Sequence, residues 1–198
     1  MKTKTVTYEL RQFDECSKEL QEKILEKERY INVDNIDLTE YNEGYTIMLK
    51  EEGFMKTQIL YDVSYCQGSG ACFDCTEFDV DKLLKDYTCK HKQWIIDIIK
   101  NECAISINKC GYYNLYVHEN TRVLDINFYD RGNCNHDRIQ KEIDKANAYL
   151  ENKRHDLCID LHNNLQDDYD YLTSDESVAE TLRCNEYYFN PSGQIEFE

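Results

Sequence analysis

The sequence predicts an α+β fold, and three observations carry that expectation. First, apolar residues alternate in short runs such as Ile59, Tyr61, Val63 and Tyr65, the two-residue period of a half-buried strand. Second, the runs Cys103–Lys109, Tyr112–His118 and Arg122–Tyr129 are separated by turn signals at Cys110-Gly111 and Glu119-Asn120, the pattern of an antiparallel meander. Third, the period turns helical from Asp137 onward. Ile139 and Ile143 lie four apart, and Leu157, Leu161 and Leu165 repeat at the same spacing. The expected architecture is an antiparallel sheet of about four to six strands, helices on one face and a mainly helical C-terminal half.

The elements follow in order. Thr3 to Phe13 alternates and reads as a strand. Ser17 offers an N-cap to a helix in which Leu20 and Ile24 face the core, ending near Tyr30. Residues 32–53 are polar and weakly patterned, and read as a loop or insertion with a short strand over Tyr45–Leu49. Met55 to Tyr65 is the clearest strand. It stops at Cys66-Gln67-Gly68-Ser69-Gly70, where two glycines within three residues permit a tight reversal or bulge. Short helices follow at Asp79–Lys85 and Lys92–Asn101, then the meander, then the helical half. Thr173 with Glu176 three residues later forms a capping-box pattern for a helix to about Cys184. A turn at Asn190–Gly193 precedes a last strand at Gln194–Phe197.

Composition limits the function classes. A chain of 198 residues is expected to form one domain. With 39 acids against 23 bases the formal charge is −16, which argues against a duplex nucleic acid or an anionic membrane as partner. Such a balance serves either a solvated surface or an acidic face that docks on a basic protein groove. Sixteen Tyr and seven Phe against one Pro and seven Gly argue for a folded chain. The N-terminal residues carry no apolar export segment, and no run approaches the length of a membrane span, so a cytoplasmic protein with no membrane partner is expected. In that setting the ten Cys are expected to be reduced thiols, most of them buried as small apolar residues.

Four segments together resemble a family of small phage and prophage proteins, mostly without assigned function and sometimes labelled antitoxin-like. Tyr8-Glu9-Leu10-Arg11-Gln12-Phe13-Asp14-Glu15-Cys16-Ser17 is similar to the family's strand and F-D-E-L-S helix opening. Ser64 to Phe73 resembles its S-x-x-Q-G-D-G-A-x-F loop, with Ser69 standing where the family often has Asp. Tyr116-Val117-His118 matches a Y-x-H strand. Tyr171 to Glu176 and Asn185 to Phe189 resemble an L-T-S-x-E…N-E-Y-x-F close. The resemblance implies a mobile-element origin and no particular reaction.

Three candidate sites follow. The loop set comprises Tyr65, Gln67, Gly68, Ser69, Gly70, Phe73, Tyr113 and His118. Its backbone N–H groups and aromatic rings suit a small or nucleotide-like ligand, while the alternative is a hairpin turn that sets strand register. The partner-binding set comprises Asp167, Asp168, Tyr169, Asp170, Tyr171, Asp175, Glu176, Glu180 and Glu186. Seven acids and one base, Arg183, fall between Gln166 and Glu186, and aromatic residues among acids suit a basic host or defence protein. The third set is a zinc candidate, Cys72, Cys75, Cys89 and His91, because two close pairs can supply four soft ligands. The odd Cys72–Cys75 spacing on a strand places that pair on opposite faces and opposes the zinc reading. No other cofactor is indicated.

Overall fold

A computed structural model describes residues 7–34, 36–110, 116–129 and 136–196. In chain order the elements are β1 (Arg11–Gln12), α1 (Lys18–Lys27), α2 (Leu38–Tyr41), α3 (Gly44–Glu51), β2 (Thr57–Asp62), β3 (Gly70–Cys75), α4 (Val80–Leu83) and α5 (Lys92–Glu102). They continue with β4 (Cys103–Lys109), β5 (Arg122–Phe128), α6 (His136–Leu172), α7 (Asp175–Cys184), β6 (Tyr188–Phe189) and β7 (Ile195–Glu196). The fold is α+β with a mainly helical C-terminal half, as the periodicities predict. The strands do not join into one sheet. Among the described residues they form three small antiparallel sheets, β1-β6-β7, β2-β3 and β4-β5.

The chain divides into two compact units, Met1–Tyr41 with Asp167–Glu198, and Asn42–Gln166. The terminal unit buries Phe13, Cys16, Ile24, Val178, Ala179, Leu182 and Phe189 together. Phe13 meets Phe189 edge to face at 6.4 Å between ring centres. Ile24 is fully buried, as its spacing predicts, and β1 pairs Arg11 with Phe189. Of the strand expected over Thr3–Phe13, residues 3–6 lie outside the described residues, and pairing is confined to Arg11 and Gln12. The cap of α7 is Ser174 rather than Thr173. Ser174 Oγ accepts from Ser177 N, while the Thr173 hydroxyl donates back to Tyr169 O at 2.8 Å and so belongs to the last turn of α6.

The central unit differs from expectation in two places. The polar stretch 32–53 contains α2 and α3, not a loop with a strand. Tyr45, Ile47 and Leu49 alternate in sequence, yet Tyr45 and Leu49 are buried one helical turn apart and Ile47 points outward at 54% exposure. Burial follows the 3.6-residue period, and the two-residue pattern is incidental. The expected meander also differs, and among the described residues no strand stands between β4 and β5. β4 pairs directly with β5 through seven residues, from Cys103 opposite Phe128 to Lys109 opposite Arg122. Residues 112–115 lie outside the described residues, and Tyr116–His118 is not a strand.

Helix α6 closes the edge of β5 by side chains. The Leu124 amide donates to Glu151 Oε2 at 2.7 Å, and the Ile126 amide to Asn147 Oδ1 at 2.9 Å. A strand edge leaves backbone groups unpaired, and here two residues one helical turn apart on α6 satisfy them. Helix α5 packs through Ile95, Ile96, Ile98 and Ile99, one face of the helix, with Asp97 on the other.

Candidate functional site

The β2-β3 hairpin is closed by polar contacts that its own residues supply. Asp62 Oδ1 accepts from the Ser64 amide at 2.8 Å. These bonds from Ser64 favour the ionised form and hold the Asp62 carboxyl below its ordinary range. The Ser69 hydroxyl accepts from Cys66 N at 2.9 Å, and Ser69 N donates to Cys66 O at 3.0 Å. The Ser64 and Ser69 hydroxyls also donate to Cys66 Sγ, at 3.2 and 3.5 Å. The turn holds Tyr65 at φ 56° and Gly68 at φ 127°, the latter a conformation suited to glycine.

The two glycines of the loop are needed for a second reason. A Cβ on Gly68 would lie 2.2 Å from the Tyr116 ring, and one on Gly70 would lie 2.7 Å from His118 Cα. The Tyr116–His118 segment is therefore laid directly on the loop. Two segments some fifty residues apart, each singled out in the sequence, are brought into one place. The segment continues into a 3-10 turn, Glu119–Thr121. His118 Nδ1 accepts from Asn120 N at 3.2 Å, and the Thr121 hydroxyl donates to His118 O at 2.7 Å.

Two arginines hold this arrangement from behind. Arg122 on β5 donates to both oxygens of Asp74 on β3, at 2.6 and 3.2 Å. Arg154 on α6 is fully buried. It donates to Glu151 at 2.6 and 2.8 Å and to the Glu119 carbonyl at 2.9 Å. A buried guanidinium needs such partners, because unpaired it would be strongly destabilising. Its neighbour Cys158 is pushed up to about 12, chiefly by burial, and is a structural thiol. Cys103 on β4 is likewise raised to about 11 by burial.

Between the loop and the 3-10 turn lies a cleft of about 710 Å³, lined by Gln67, Gly68, Ser69, Cys110, Tyr116, His118, Glu119, Asn120 and Thr121. It holds one carboxylate and, among the described lining residues, no lysine or arginine. Gln67, Gly68, Ser69 and His118 of the loop set line it. Gly70 is buried beneath His118, and Phe73 faces the core, edge-on to Phe54 at 4.9 Å. Tyr65 is 69% exposed and does not line the cleft, and Tyr113 lies outside the described residues. Sequence reasoning missed Glu119, Asn120, Arg122 and Arg154. The register of α6 carries a signal for Arg154, which falls on the stripe of Leu150, Leu157 and Leu161 and so must be buried.

The partner-binding set sits in the terminal unit. Asp167, Asp170, Tyr171, Asp175, Glu176, Glu180 and Glu186 are exposed, and Asp168 and Tyr169 half-buried. Arg29 donates to Asp175 at 3.0 Å. Arg183, the one base of that segment, turns instead to Asp14 at 2.9 Å and stacks over Phe13. The zinc candidates do not converge. Cys72 is buried on β3 and accepts from the Thr121 hydroxyl at 3.5 Å, whereas Cys75 donates to Glu77 O at 3.1 Å. Cys89 and His91 line a different cleft, before α5. Among the described residues no three His, Cys, Asp or Glu side chains assemble a metal site. The nine described cysteines are free thiols. Among the described residues no helix is long and apolar enough to cross a membrane.

No curated protein and no solved structure matches the chain. A family model matches residues 30–175, which include every residue lining the 710 Å³ cleft and exclude Glu176, Glu180 and Glu186. The match spans most of the sequence, and the chain belongs to the family described as a domain of unknown function, DUF8835.

Proposed function

We propose that the chain is a phage-type accessory protein that acts by binding a basic host protein, in the manner of an anti-CRISPR or antitoxin-like inhibitor in the host cytoplasm. The observation that carries the reading is surplus negative charge. The chain bears −16, Asp167, Glu176 and Glu180 stand exposed on α6 and α7, and the one base of that segment, Arg183, is committed to Asp14. Such carboxylates compete with a polynucleotide for a lysine- and arginine-rich groove. The association weakens steeply with salt, because exposed charges are screened within about 8–10 Å at physiological ionic strength. The test is a pulldown from host lysate at low and high salt. A variant with Asp167, Asp170, Glu176 and Glu180 changed to Asn or Gln should lose the partner. Partners that are indifferent to salt, or that the variant retains, would remove this reading.

A second reading rests on the cleft at the β2-β3 loop. Its polar lining, with one carboxylate and no lysine or arginine among the described lining residues, suits a neutral or cationic polar ligand such as a free nucleoside, with Tyr116 as a stacking surface. Thermal-shift measurements with nucleosides test it. A shift that disappears in Gln67→Ala and His118→Ala supports it, and no shift with any nucleoside rejects it.

A further inference from the structure

A second cleft of the central unit has the opposite character. It measures about 460 Å³ and lies between the segment before α5 and the first turns of α6. Its lining includes Lys90, Arg138 and Lys145 against one carboxylate, Glu142, in a chain whose acids outnumber its bases by 39 to 23. Arg138, Glu142 and Lys145 fall at i, i+4 and i+7, so one face of α6 presents all three. Glu142 is taken up by Lys145 at 2.6 Å. Lys90 and Arg138 are exposed and make no ion pair among the described residues. No acid stands in the first turn of α5 to oppose them.

Beside these cations stands Trp94, the single tryptophan of the chain. It lines this cleft at 39% exposure, on a helix that buries four isoleucines elsewhere. His91 stands edge-on to it at 6.4 Å. A large aromatic face left in a cleft beside unpaired cations combines two complementary recognition elements. The ring stacks on a planar base, and lysine and arginine bind phosphate oxygens.

We propose that this cleft binds a nucleoside monophosphate, with the base against Trp94 and the phosphate held by Lys90 and Arg138. A polynucleotide is disfavoured, because it would extend past the local cations into the field of a chain bearing −16. A mononucleotide stays within them. The volume also suits a ligand of that size.

Because Trp94 is the sole tryptophan, its fluorescence reports occupancy of this cleft directly. Titration with the common ribonucleoside monophosphates should give saturable quenching for at least one, weakened by salt. Lys90→Ala with Arg138→Ala should lower its affinity about tenfold or more, because each removes a charge-assisted contact. Both residues are exposed, so unchanged circular dichroism confirms that the variant is folded. The matching nucleoside and inorganic phosphate should each bind more weakly than the monophosphate. The proposal is overturned if no monophosphate gives a saturable change, if the double variant binds undiminished, or if the nucleoside binds as tightly. Binding of a single-stranded oligonucleotide without the mononucleotide would overturn it as well.

Discussion

Two clefts of the central unit are opposite in charge. The cleft at the β2-β3 loop has a carboxylate and no cation among its described lining residues, while the cleft before α5 has three cations and one carboxylate. The difference lies in where the arginines went. Arg122 and Arg154 stand behind the first cleft, buried and bonded to Asp74 and Glu151. Arg138 stands at the mouth of the second, exposed. A buried, paired guanidinium fixes geometry, whereas an exposed and unpaired one is available to a ligand. Net charge therefore predicts little about a single cleft, and the pairing of each cation decides.

The largest effect expected from this comparison is in thiol chemistry. Cys158, behind the first cleft, is pushed up to about 12 and should carry on the order of a thousandfold less thiolate near neutral pH than an ordinary cysteine. Alkylation followed by mass spectrometry should label the exposed Cys66 and Cys184 long before Cys158. Equal rates would mean that the support of the first cleft opens readily. Next, Arg154→Ala should cost about 3 kcal/mol in denaturant unfolding, toward the low end for a broken buried pair because Glu151 keeps some contact with water. A null effect would show that the arginine is not what holds Glu119 in place.

Gly68→Ala should cost about 2 kcal/mol, from a side chain at positive φ and a contact with the Tyr116 ring that forces the segment away. It should leave Trp94 fluorescence unchanged, and a change there would mean that the two clefts are coupled. The smallest effect concerns acid. The Asp62 carboxyl is held low by Ser64, so its stabilising contribution is present above the unfolded-state pKa. That contribution is lost only as pH falls through the depressed folded value. The Ser64 amide resonance, followed by NMR, should titrate below the ordinary aspartate range. A midpoint in the ordinary range would show that the turn is not held by this bond.

Much of the local structure was legible. β4 begins and ends where alternation predicts, and Ile24, Leu157, Leu161 and Leu165 are buried as their spacing requires. Tyr45–Leu49 was misleading, because five residues fit both periods and only the depth of burial of Tyr45 and Leu49 separates them. The loop set named Gln67, Gly68, Ser69 and His118, yet nothing local places Glu119 or Asn120 beside them. The capping pattern was off by one residue, since Thr173 and Ser174 are adjacent hydroxyls and either suits a cap.

By itself the sequence determined the helical and strand periods, the charge of −16 and the glycine positions, because each depends on neighbours within a few residues. Tertiary structure alone decided that β4 pairs with β5, that Tyr116 seals Gly68 and that Arg154 is buried while Arg138 is not. Strand pairing and charge burial are settled between groups far apart along the chain. Their energies depend on which surfaces leave water together, a quantity that no local window contains.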